Sequence, residues 1–155
     1  MYNTWANTKI AEVLRDIDDE IFFRENKSSF SSIGITMLHI WGAQHVWFKR
    51  MEGISLTAFP YMDVRDKLEI LDGLVKSSVD IQDLVDSKGE EFLTTVYAYK
   101  NLKGDPFEDT IEDTLFHVVN HGTYHRGQII TMLRQAGVTK VVSTDLIHYL
   151  RTLKK

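Results

Sequence analysis

Apolar residues in this 155-residue chain recur at intervals of three and four over most of its length. Ile10, Val13, Leu14, Ile17 and Ile21 stand at i, i+3, i+4, i+7 and i+11. That spacing turns one stripe of a helix toward a core, because helix side chains repeat every 3.6 residues and strand side chains every two. The other face of this first predicted helix carries Asp16, Asp18, Asp19 and Glu20, read as a solvated surface. The polar stretch RENKSSFSS supplies a loop and serine caps for a second helix over 32–51. A third is predicted from Asp63 to a stop at Gly89, burying Leu68, Leu71, Leu74 or Val75, Ile81, Leu84 and Val85.

The segment EFLTTVYAYKNLKGDPFEDT changes character. Its Thr, Val and Tyr favour extended chain, and Lys-Gly-Asp-Pro punctuates it, so a strand and a turn are expected. A fourth helix is predicted over 110–136, ending before Gly137, and a short fifth opens at Thr144 or Asp145. Four long helices with one longer connection specify an all-α four-helix bundle, a single domain over 1–155. It has a short extended segment between helices three and four and a short C-terminal helix.

Composition narrows the function. A formal net charge of -4 leaves no basic footprint, so nucleic acid is not expected as a partner. No apolar run approaches the roughly 18 residues of a membrane span. The start, MYNTWANTKIAEVLRD, lacks the basic-then-apolar plan of a signal peptide, and a cytoplasmic setting is expected. The chain has no cysteine. Disulfides, thiolate ligands and a protein-borne thiol nucleophile are therefore excluded, and a transition metal would have to rely on histidine and carboxylate.

Three of the six histidines fall in FHVVNHGTYHRGQ, residues 116–128. Against the stripe of Ile111, Leu115, Val118, Gly122, Ile129 and Leu133, His125 is central, His121 lies toward one edge and His117 is at the boundary. Two inward imidazoles at i, i+4 start about 5–6 Å apart and can converge on one ion at about 2.0–2.1 Å. They can equally be helical histidines that only hydrogen-bond, and spacing alone leaves both readings open. In GITMLHIWGAQHVWFKR, His39 shares the stripe of Ile35, Gly42 and Val46 and so faces the core, whereas His45 is peripheral. A core histidine able to meet an inward pair strengthens the metal reading.

Competing chemistries fit less well. A di-iron bundle needs carboxylates in Glu-x-x-His motifs, and Glu112 and Asp113 lie two turns or more from the histidine pair. Ser143 and Asp145 are present, but no nucleophile-elbow motif surrounds any serine. Trp5, Trp41 and Trp47 are read as core or interface rather than substrate contacts.

YNTWANTKI, LHIWGAQHVW, HVVNHGTYHRGQIITMLRQAG and STDLIHYL span almost the whole chain. Through them the chain resembles the DinB-type (DinB/YfiT-like) metalloenzyme superfamily, the damage-inducible family unrelated to the polymerase of that name. The resemblance implies a bundle of variant up-and-down topology, a homodimer, and a divalent metal ion, zinc or nickel, held by His39, His121 and His125. Three imidazoles leave a position open for water or substrate. Similar members include transferases that use low-molecular-weight thiols such as bacillithiol or mycothiol. The implied function is a metal-dependent small-thiol S-transferase or hydrolase acting on a small-molecule substrate, with the thiol a cosubstrate. The alternative is a non-catalytic metal or small-ligand binding stress-response protein.

Other motif positions carry narrower expectations. Gln44 stands where relatives often have Asp or Glu, which should alter a local hydrogen bond rather than the metal. Arg126 and Gln128 belong to the motif and are expected to bond between helices, with Arg126 also available to an acidic substrate group. The resemblance identifies no catalytic residue beyond the ligands and no substrate. Metal occupancy is expected to fall below pH about 6 as protons compete for the rings.

Overall fold

The computed structural model describes residues 1–154. In chain order it comprises α1 (Tyr2–Arg15), α2 (Asp19–Phe23), α3 (Ile33–Met51), α4 (Lys67–Lys88), β1 (Val96–Lys100), β2 (Pro106–Thr110), α5 (Ile111–Gln135) and α6 (Leu146–Thr152). A single 3-10 turn, Glu90–Phe92, follows α4. The four long helices form the bundle. α3 packs on α4 and α5, while α1 packs on α4 and, more lightly, on α5.

Side-chain caps mark where α3, α4 and α5 begin. Ser32 accepts from the Ile35 N–H, Asp66 from Glu69 and Thr110 from Asp113, each relieving one orphan donor of a first turn. Gly89 and Gly137 follow α4 and α5 with φ of +79° and +86°, values that side chains resist.

Three sequence expectations are corrected. The first helix does not run to Ile21. Asp18 adopts extended backbone (φ -63°, ψ 144°) as the cap of α2, so the chain breaks after Arg15 although Ile17 and Ile21 still pack on the core. α4 starts after Asp66 rather than at Asp63, because the preceding segment folds into a turn closed by the Val64 N–H on the Tyr61 carbonyl. Leu68 is 50% exposed in the first turn of α4; Ile70, Leu71, Leu74 and Ile81 carry the buried side instead.

The extended segment is a hairpin of two antiparallel strands, in register from Val96 opposite Thr110 to Lys100 opposite Pro106. Asn101 Oδ1 closes its turn by accepting from the Lys103 and Asp105 N–H groups.

Two apolar clusters hold the bundle. The larger includes Ile10, Leu14, Phe22, Met37, Ile40, Leu74, Ile129 and Leu133, all within 2% of full burial. Each such side chain contributes about 1.5–3 kcal/mol through removal from water. The smaller joins Met51, Ile81, Ile111 and Val118 at the hairpin end. Among the described residues, no helix is long and apolar enough to cross a membrane.

Between the apolar layers runs a polar seam. Arg126, fully buried, donates to Asn3 Oδ1 at 3.1 Å, Asn7 Oδ1 at 2.8 Å and Thr123 Oγ1 at 3.0 Å. Gln44 Oε1 accepts from Asn7 Nδ2 at 3.1 Å, and Gln44 Nε2 donates to Ser77 Oγ at 2.9 Å. These bonds satisfy buried donors that would otherwise be costly, and they fix α1, α3, α4 and α5 in one register.

Candidate metal centre

The helix phases that bury the apolar stripes bring His39 of α3 against His121 and His125 of α5. One ring nitrogen from each lies within 4.8 Å of the other two. His39 Nε2 and His121 Nε2 are 2.9 Å apart. The ring centroids are 4.5 Å apart for His121 and His125, 4.7 Å for His39 and His125 and 4.8 Å for His39 and His121. Tetrahedral ligation at 2.0–2.1 Å places ligand nitrogens about 3.3 Å apart. The nitrogens found here, within 4.8 Å of one another, lie near that spacing.

Burial sets the charge of the cluster. It pushes the His39 imidazole from 6.5 down to about 4, with His125 adding to the effect. It pushes His121 down to about 3, helped by His125, His39 and His117. His125 is also lowered by burial, against a raising hydrogen bond from Gln128. The rings of His39 and His121 are therefore neutral at pH 7, with lone pairs free to ligate.

Three neutral imidazoles without a carboxylate among them suit a borderline divalent ion such as zinc or nickel better than a hard oxygen-seeking one. The donor set fits the implied metal.

A bond outside the cluster chooses the ligating atom. His125 Nδ1 is 2.8 Å from Gln128 Oε1, which can only accept, so the proton belongs on Nδ1 and Nε2 is left for an ion. Gln128 Nε2 donates onward to Ser29 Oγ at 3.1 Å in the loop before α3. The expectation that Gln128 bonds between helices is thus replaced by a tie within α5 and to that loop. Arg126 does bond α5 to α1 as expected. Gln44 belongs to the polar seam.

Two loop aromatics bracket His39. Phe30 stacks on it at 4.2 Å and Phe59 at 5.7 Å. Phe59 occupies the space that the missing side chain of Gly42 leaves: a Cβ there would stand 2.3 Å from Phe59 Cε1. Neither phenylalanine was singled out from sequence, because loop residues carry no periodic signal.

The remaining histidines are outside the three-residue group. His45 Nδ1 is 2.9 Å from the Tyr61 hydroxyl, and His148 stacks on Trp5. His117 extends the row, its ring 5.7 Å from that of His121 and 5.1 Å from that of Trp47. Although His117 is exposed as a residue, the packed side of its ring is desolvated, which lowers its pKa; the Arg50 charge lowers it further and Asp109 opposes. Trp41 is a core residue, stacked on Tyr61 at 3.8 Å. The acidic run near α2 is solvent-facing.

The fold agrees with what the chain is similar to. A family model described as DinB family matches residues 1–153. Protein DinB of Bacillus subtilis (strain 168) is 31% identical over 150 residues, covering 88% of this chain and 83% of that protein. A crystal structure of a DinB-like protein from Bacillus cereus ATCC 10987 matches with a TM-score of 0.69 and 25% identity, covering 91% of each chain.

Proposed function

Because this chain belongs to the DinB family, we propose that its three-histidine cluster holds a divalent ion and serves a metal-dependent reaction. The reaction is transfer of a low-molecular-weight thiol to an electrophilic small molecule, or a related hydrolysis. The observation that carries this reading is the convergence of three neutral imidazole nitrogens from two helices, with no fourth protein ligand in the group. Structural zinc sites are usually closed by four protein ligands, whereas catalytic ones keep a position for substrate. A zinc or nickel ion would supply Lewis acidity toward a thiol or carbonyl bound at that position.

The chain's own residues have separate roles. Gln128 orients His125 and fixes its tautomer. Phe30 and Phe59 restrict water around His39, which keeps the ring neutral and favours an apolar substrate portion beside it. With no cysteine in the chain, the thiol comes from a cosubstrate.

The test is elemental analysis of untagged protein, followed by turnover. About one zinc or nickel per chain is expected. His39→Ala, His121→Ala and His125→Ala should each lose it, while His45→Ala and His148→Ala retain it. Metal-loaded protein with bacillithiol and a reactive electrophile should then form product faster than chelated protein or His125→Ala. Retained metal without turnover across several thiols and esters would leave a binding protein in place of an enzyme. Equal metal loss from all five substitutions would sink the site.

A further inference from the structure

Arg50, in the last turn of α3, carries a buried charge that no carboxylate of the described protein pairs. The residue is 6% exposed, and its guanidinium sits against Trp47 and Tyr99, two rings packed edge to face on each other at 5.3 Å, with Cζ 4.4 and 4.7 Å from their centroids. Those rings attract the cation through their π faces. They do not engage its five N–H donors, which point outward in the guanidinium plane. Nε is closed off from solvent and has no hydrogen-bond partner among the described residues. None of the salt bridges among the described residues includes Arg50. Of the ionisable groups coupled to its charge, Tyr99 and Tyr97 are both raised further above 10.0 chiefly by burial and so neutral at pH 7, and His117 is lowered, chiefly by burial and then by the Arg50 charge itself. Asp109, the acid opposite Tyr97 in the hairpin, is engaged elsewhere, accepting from the Tyr99 hydroxyl at 2.6 Å.

Buried guanidinium groups are nearly always paired, because an isolated charge out of water is strongly unfavourable. Arg126, the other buried guanidinium, is met by neutral side-chain oxygens, whereas Arg50 has no acid beside it and its Nε has no acceptor among the described residues. We propose that Arg50 is an anion-recognition residue that takes the carboxylate or phosphate group of a small molecule. A planar fork of donors matches either oxyanion through two parallel bonds. Contact with the two rings limits the freedom of the side chain, so less is lost on binding.

Its place in the fold connects it to the histidines. Trp47 touches both Arg50 and His117, and His117 adjoins His121. Arg50 is eleven residues after His39, about 16 Å along α3. Resting on the metal-dependent reading above, the substrate or cosubstrate bears an anionic group anchored at Arg50 while its reacting end meets the histidine cluster. The anion site itself does not require the ion.

The experiment titrates nitrogen-15-labelled protein, metal-free and zinc-loaded, with sodium phosphate and with succinate, using sodium chloride at matched ionic strength as control. Saturable shifts of the Arg50 Nε–H and Trp47 indole resonances are expected, at millimolar concentration or below. Preference for phosphate would identify a phosphate ester, and preference for succinate a carboxylate. Arg50→Lys, which keeps the charge but loses the fork, should weaken binding at least about 10-fold. Arg50→Gln should abolish it with the melting temperature measured alongside. Wild-type shifts that are absent, or that merely follow chloride, overturn the proposal whatever the variants do, as does unchanged binding in a folded Arg50→Gln protein. Zinc stoichiometry in the same samples reports separately on the metal reading.

Discussion

Gln128 Oε1 stands 2.8 Å from His125 Nδ1, one turn along the same helix, and so determines which nitrogen of the ring faces the cluster. Removing that acceptor leaves the ring free to rotate and to change tautomer. Gln128→Ala should lower zinc affinity within the about 10–100-fold range typical of such outer partners. Gln128→Glu, which keeps an acceptor, should retain most of it. Competition against a fluorescent chelator measures both, and wild-type affinity in the alanine variant would remove Gln128 from the account.

The histidines also set a pH dependence for the metal-free protein. Folding holds His39 near 4 and His121 near 3, below their ordinary 6.5, mainly by burial. Between those limits the unfolded chain binds more protons than the folded one, so stability rises with pH in that window. It is fully present above about 6.5 and is lost progressively as pH falls toward 4 and then 3. Melting of chelated protein should therefore drop by several degrees from pH 7 to pH 5, and by less in His39→Gln. The same depressed values extend metal binding to lower pH than the threshold near 6 expected from ordinary imidazoles. Helical circular dichroism should survive chelation, since the apolar clusters do not involve the ligands.

Two glycines of the core should respond differently to an added methyl group. At Gly73 a Cβ would lie 2.3 Å from Trp41 Cζ2, and Trp41 is held by stacking on Tyr61 at 3.8 Å. Gly73→Ala should cost about 1–3 kcal/mol, the usual range for overpacking. Gly42→Ala meets Phe59, a half-buried loop residue that can swing aside. Its melting temperature should fall less, while metal exchange at the neighbouring His39 becomes faster. A larger loss at Gly42 would show the Phe59 loop to be rigid.

Assembly is expected to be dimeric, as the family resemblance implies. On the outer face of α5, Phe116 and Tyr124 are 68% and 62% exposed, and Leu146 of α6 is 51% exposed. A two-fold contact would cover such residues on both copies at once. Light scattering at micromolar concentration should report twice the chain mass, and Phe116→Glu should shift it toward monomer with little change in helicity. Monomer alone in the parent protein would exclude the dimer.

The sequence was legible where one period governs. His39, His121 and His125 could be placed inward because they share the phase of long apolar stripes. The break after Arg15 was not, since Ile17 and Ile21 continue the stripe while the backbone at Asp18 turns extended and starts a new helix. The second strand was hidden for a related reason: Pro106, Glu108 and Asp109 have poor strand preference, and pairing with β1 overrides it. Phe30, Phe59 and the Gln128 bond depend on loop paths and amide orientation, which no local spacing encodes.

The three proposed ligands differ in how far apart they lie along the chain. His121 and His125 come together within one helical turn, but His39 joins them from 82 residues away. Closing a loop of that length in a disordered chain costs about 4 kcal/mol of entropy, beyond a constant term. An ion can therefore find two of its ligands on a transient helix and all three only once α3 has docked on α5. Its residence time then becomes a clock for that docking. Whenever the two helices part, even briefly and without global unfolding, the ion is left on a two-ligand fragment and can escape.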